Sequence, residues 1–228
     1  MENMDNLRQE RESFMRLEEM KGYRELASKT QFLFWLSIGS IVLSVGTALG
    51  LLTDMASAGS AEQAARSASS LAIAIAVMSL GVGLAFSFVT MGMGKQNTSF
   101  RTAGMYYLIS SLISFAYDLS GNNIVRLFAS ALAALYILKF SLAMNESLHS
   151  VDNILAESWD KFRTAYFIMI GASILCTFIA FIPIIGLLAL LGIFACAIAA
   201  IVLQIWEIIL LYKSAAAFSS YMPGRDRF

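Results

Sequence analysis

The sequence predicts an all-α, polytopic transmembrane helical bundle of six spans with both termini in the cytoplasm, and three observations carry that prediction. Hydrophobic residues make up 58% of the 228 and charged residues only 14%, against roughly 45 to 50% and about 25% in an ordinary soluble domain. The apolar residues gather into runs long enough to cross a bilayer. The basic residues fall almost entirely on one side of those runs. Sixteen Lys and Arg balance sixteen Asp and Glu, so the total charge gives no sign of a nucleic-acid partner or an acidic substrate. The solvent it implies is the lipid bilayer.

The chain opens with a charged segment, residues 1–29, holding six basic and seven acidic residues before any apolar run. That is not the short basic region and cleavage site of a signal peptide, so the segment is expected to stay in the mature protein. Met4, Leu7, Phe14, Leu17, Met20 or Tyr23, and Leu26 recur near one face of a helix, the pattern of an amphipathic helix that docks on a cytoplasmic protein partner, pairs in a short coiled coil or lies on the membrane. Its net charge of minus one, six minus seven, argues against attraction to anionic lipid.

Crossing about 30 Å of hydrocarbon takes roughly 20 apolar residues. The runs that meet this are 30–53, 69–93, 103–119 at the short end, and 124–144. The apolar run 164–212 is too long for one crossing. Pro183, which lacks a helical donor, and Gly186 supply a break, giving spans 164–182 and 187–212. Between the first two spans, Asp54 to Ser70 reads as an Ala- and Ser-rich loop. Residues 145–161 place Leu148, Val151, Leu155 and Trp159 at helical spacing, ahead of Phe162. They are expected to form an interfacial amphipathic helix or an extension of span five, with Trp159 at headgroup level. Residues 214–228 form a short cytoplasmic tail.

Basic residues are retained on the cytoplasmic side. On the side of the N-terminus fall the six in the tail, Lys95, Arg101, Lys161, Arg163, Lys213, Arg225 and Arg227, and Lys139 near the inner end of span four, fourteen in all; only Arg66 and Arg126 lie opposite. The expected orientation is therefore N-in and C-in, with the bacterial plasma membrane as the expected location for so compact a chain. The odd spans begin alike, at Lys29-Thr30, Arg101-Thr102 and Arg163-Thr164, spaced 72 and 62 residues apart, which fits three tandem helical hairpins. The Pro-x-acidic-x-x-basic signature that marks each repeat of the mitochondrial carriers is absent from all three, and no family resemblance follows.

The search for chemistry narrows quickly. His149, the one histidine, lies outside the spans, which excludes a His-Glu-x-x-His zinc site and disfavours a Ser-His dyad. Glu18-Glu19 with Arg24 has the wrong spacing and position for an intramembrane protease, and Gly92-Met-Gly94-Lys95 lacks the spacing of a phosphate loop, reading instead as a loosened end of span two. Cys176 and Cys196 sit in apolar runs and are expected to be packing residues. No catalytic, cofactor or metal site is expected.

Polar groups at membrane depth cost about 2.5 to 3.5 kcal/mol each near the centre and are default functional candidates. They are Lys139 in span four, and Gln204 and Glu207 in span six. By rise per residue, Lys139 and Glu207 both lie about 10 Å from the inner face. Small residues at Gly46 and Gly50, Gly81 and Gly83, and Ala195 and Ala199 suit close helix packing, in a compact bundle or a homo-oligomer alike. The leading functional expectation is a non-enzymatic accessory or scaffold membrane subunit. The alternative is a small-solute or ion transporter or channel using Lys139 and Glu207.

Overall fold

The computed structural model describes residues 2–57, 61–180 and 186–221. Among them six α-helices form and no strand: α1 (Glu2–Ser57), α2 (Ala61–Gly92), α3 (Thr98–Ser120), α4 (Asn123–Leu148), α5 (Asn153–Ala180) and α6 (Gly186–Ser220), with a 3₁₀ turn at Met93–Lys95 after α2. Among the described residues five stretches are long and apolar enough to cross a membrane: Ser13–Leu43, Ile73–Lys95, Ile124–Leu148, Asn153–Ala180 and Leu191–Ser220. α3 is not among them, because Tyr106, Tyr107, Ser110, Ser111, Ser114 and Asp118 dilute its apolar run. These long apolar helices fit a membrane protein. Several hydroxyls in the apolar helices are satisfied within their own helix: Ser37, Ser87, Thr90, Ser111 and Ser173 each donate to the carbonyl four residues earlier, which suits a medium without water.

The helices outrun the apolar runs. α1 passes through Lys29-Thr30 without interruption, and α1 and α2 extend to Ser57 and from Ala61, so most of the expected Asp54–Ser70 loop is helical. Ala is the commonest residue of that stretch, and Glu62, Gln63 and Arg66 join it at the start of α2; all four types are strong helix formers. Residues 145–161 do not form one separate helix. α4 continues to Leu148, a turn closes with Val151 and Asp152 donating to the Leu148 carbonyl, and Asp152 Oδ1 accepts from Leu155 N at 3.0 Å to start α5. The run 164–212 is divided between α5 and α6; the Phe181–Pro183 break itself lies outside the described residues. The expected tail from 214 is helical to Ser220, and Arg225 and Arg227 lie outside the described residues. At the other turn, Gly121 with φ +66° ends α3, donating to the Tyr117 carbonyl, a left-handed position that glycine takes without strain.

The chain divides into two compact units, one comprising residues 1–30 and 141–228, the other 31–140. The first packs α5 against α6 and buries Leu26, Leu148, Leu155, Trp159, Phe162, Leu211 and Phe218. The second packs α2 against α3 around an aromatic core in which Tyr107 lies 5.2 Å from Phe86 and 4.6 Å from Tyr136 between ring centroids. Here Gly104 lets the helices touch: a Cβ on it would stand 2.8 Å from Met91 N and the Ser87 carbonyl oxygen. Gly83, likewise, would meet Ser111 Oγ at 2.5 Å. Gly46 and Gly81 have open space where a Cβ would be, so of these expected packing glycines only Gly83 is used within its unit. The three Lys/Arg–Thr pairs have unlike surroundings. Thr30 is buried, Thr164 is exposed, and Lys29 and Arg163 pair with Glu25 and Asp160 while Arg101 packs beside Gly94.

Candidate functional site

In the first unit, the amphipathic periodicity of the N-terminal segment and of residues 145–161 is consumed internally. Trp159 is fully buried within the unit, donates Nε1–H to Ser214 Oγ at 2.9 Å and meets Phe162 edge-on at 5.7 Å. Asn145 Nδ2 donates to the Ala156 carbonyl at 2.8 Å, tying the end of α4 to the start of α5. Tyr23 stacks on Phe218 at 6.0 Å and against Tyr221 at 4.4 Å, and its hydroxyl shares a 2.8 Å hydrogen bond with Ser150 Oγ. The last turns of residues 1–30 are thus anchored.

Only half of the N-terminal helix is used in this way. Leu26 is 2% exposed, whereas Phe14, Met15 and Leu17 are 63%, 59% and 50% exposed. These large apolar groups stand at the start of the apolar stretch Ser13–Leu43, and apolar groups gathered and exposed on one short helical stretch are the usual mark of an interaction surface. The side chains of Met4 and Leu7 lie outside the described residues.

The polar candidates are divided between the units. Lys139 is half-buried in the second unit, while Gln204 is exposed and Glu207 half-buried in the first. Glu207 lies within electrostatic reach of Tyr166 on α5, beside the Phe162–Trp206 ring contact at 5.9 Å. Glu19, of the Glu18-Glu19 pair, accepts from Tyr221 Oη at 3.4 Å. Cys176 packs on Gly192, where a Cβ would approach its Sγ to 2.7 Å.

No family model, curated protein or solved structure matches this chain. Its function has to be argued from its own residues.

The sequence reading overlooked a cleft in the second unit. A cavity of about 290 Å³ lies between α2 and α3, lined by hydroxyls of Ser79, Ser110, Ser111 and Ser114, by Tyr107, and by the carboxylate-bearing Asp118. The signal was present: Tyr107, Ser111, Ser114 and Asp118 stand at i, i+4, i+7 and i+11 of α3, one helical face. Ala76, Ser79, Leu80 and Gly83 repeat the pattern on α2. A search restricted to charged groups at membrane depth passes over a stripe of serines.

Proposed function

We propose that this protein is a non-enzymatic accessory or scaffold subunit of a membrane, six-spanning with N-in and C-in topology, whose N-terminal helix docks on a helical cytoplasmic protein. The bacterial plasma membrane is the setting proposed for it. The observation that carries this reading is the contrast within one helix: Tyr23 and Leu26 are held by the chain's own core while Phe14, Met15 and Leu17 stand exposed. A helix fixed at its base and carrying exposed apolar groups on its free part is preorganised for helix-in-groove recognition. Opposite charges alternate along this segment, with Arg8, Glu12 and Arg16 four residues apart. This favours a partner of mixed charge over an anionic lipid surface.

The test is site-specific photo-crosslinking in intact cells from positions 14 and 17. A discrete adduct with one cytoplasmic protein, abolished by the double substitution Phe14→Ser and Leu17→Ser, is the expected result. Adducts only to lipid, only to a second copy of the chain, or none would each overturn the reading. Deleting the whole segment through Ser28 is the wrong experiment, since it removes Leu26 from the core.

A second reading, a small-solute or ion transporter using Lys139 and Glu207, draws on the half-buried Glu207 at a position facing Tyr166. For it to hold, Glu207→Gln has to alter flux in reconstituted vesicles without lowering the amount of folded protein.

A further inference from the structure

The serine-lined cleft of the second unit has a chemistry of its own, separate from the docking helix. Two of its hydroxyl protons are already committed: Ser111 Oγ donates to the Tyr107 carbonyl and Ser110 Oγ donates across to the Ala129 carbonyl of α4, both at 2.8 Å. What these oxygens still offer is lone pairs, since a serine has one proton to give and two acceptor positions. Asp118, at the end of α3 near the Gly121 turn, adds a carboxylate that makes no ion pair among the described residues. Among the described residues no Lys or Arg lines the cleft. Tyr107 is held between Phe86 and Tyr136, and Phe115 provides a second aromatic side chain. The walls therefore present acceptors, negative charge and aromatic rings in a space near the lower limit of about 300 Å³ for small-molecule sites.

We propose that the cleft between α2 and α3 binds a small organic ammonium ion. An ammonium group has donors and no acceptor, so it matches lone pairs that a carboxylate or phosphate ligand would repel. Its positive charge is favoured by Asp118 and by an aromatic face. The apolar lining from Ala76, Leu80 and Ala133 accommodates a short alkyl group and accounts for an organic rather than a bare metal cation. Gly83 lets α2 approach Ser111 of α3 along the cleft, since a side chain there would collide with Ser111 Oγ.

The experiment uses the full chain in lipid nanodiscs, titrated with ethylammonium chloride and, separately, with ethanol and potassium chloride at matched ionic strength. Binding is followed by isothermal calorimetry and by ligand-observed NMR. Saturable binding of ethylammonium, with neither ethanol nor potassium competing, is expected. Asp118→Asn, at an exposed position, should weaken it by about tenfold or more, as when a hydrogen bond to a charged group is lost. Ser79→Leu should abolish it by filling the cleft, and substitutions at Phe14 and Leu17 should leave it unchanged. The proposal is overturned if ethylammonium does not bind, if ethanol or potassium competes equally, or if Asp118→Asn binds as tightly as the parent. A lipid acyl chain occupying the cleft, recognised by cross-saturation from deuterium-edited lipid and undisplaced by ethylammonium, would overturn it as well. Because the parent protein alone decides the first two outcomes, poor folding of Ser79→Leu would not protect the idea.

Discussion

Breaking the Trp159–Ser214 contact should loosen the anchoring unit by an amount the geometry sets. Both residues are fully buried, and the indole N–H has Ser214 Oγ at 2.9 Å as its acceptor. Ser214→Ala removes that acceptor with little loss of volume, so the cost is chiefly that of a buried, unsatisfied donor, about 1 to 3 kcal/mol. Trp159→Phe removes the donor together with part of a large ring, while the serine left behind can return its proton to a carbonyl of its own helix. In the double variant no donor is left orphaned. The two substitutions should therefore cost less together than the sum of their separate effects, by about 1 kcal/mol, as expected for residues in direct contact. Equilibrium unfolding of all four proteins in mixed micelles, followed by far-ultraviolet circular dichroism, measures the cycle. Strict additivity, or a Ser214→Ala protein within about 0.3 kcal/mol of the parent, would refute the argument that this hydrogen bond fastens α5 to α6.

Three further outcomes follow from the packing. Gly104→Ala places a methyl group against backbone atoms of Met91 and Ser87 that cannot rotate away, and should destabilise the α2–α3 pair by about 1 to 3 kcal/mol, read as a lowered thermal midpoint; an unchanged midpoint contradicts the close approach. Ser110→Ala deletes the 2.8 Å bond to the Ala129 carbonyl and should cost about 0.5 to 1.5 kcal/mol in the same assay. Phe14→Ser with Leu17→Ser, at exposed positions, should move stability by no more than about 0.5 kcal/mol; a larger loss would mean that these side chains serve the fold rather than a partner.

Much of the architecture was legible because the bilayer demands it. A spanning segment must be helical and apolar for about 20 residues, so apolar helical runs at 69–93 and 124–144 could be read from composition, close to the stretches Ile73–Lys95 and Ile124–Leu148 of the structure, and 164–212 had to divide. The candidate sites were legible only in part. Charged residues announce themselves singly, and Lys139, Gln204 and Glu207 were found on that basis, but a cleft is made by facing surfaces. Tyr107, Ser111, Ser114 and Asp118 become a wall only when α2 packs opposite them.

Local periodicity and the cost of burying polar backbone set an all-helical chain with apolar faces at 1–29 and 145–161, though not the helix through 61–70 or the turn after Leu148. Tertiary structure alone decided what each face meets. Trp159 lies against Phe162 and is bonded to Ser214, 55 residues away in the chain. Leu26 and Phe14 share a sequence pattern, yet one is buried and the other exposed. Periodicity records that a face is apolar. Which neighbour removes it from solvent depends on contacts between distant parts of the chain, and the spacing of residues along one helix does not encode them.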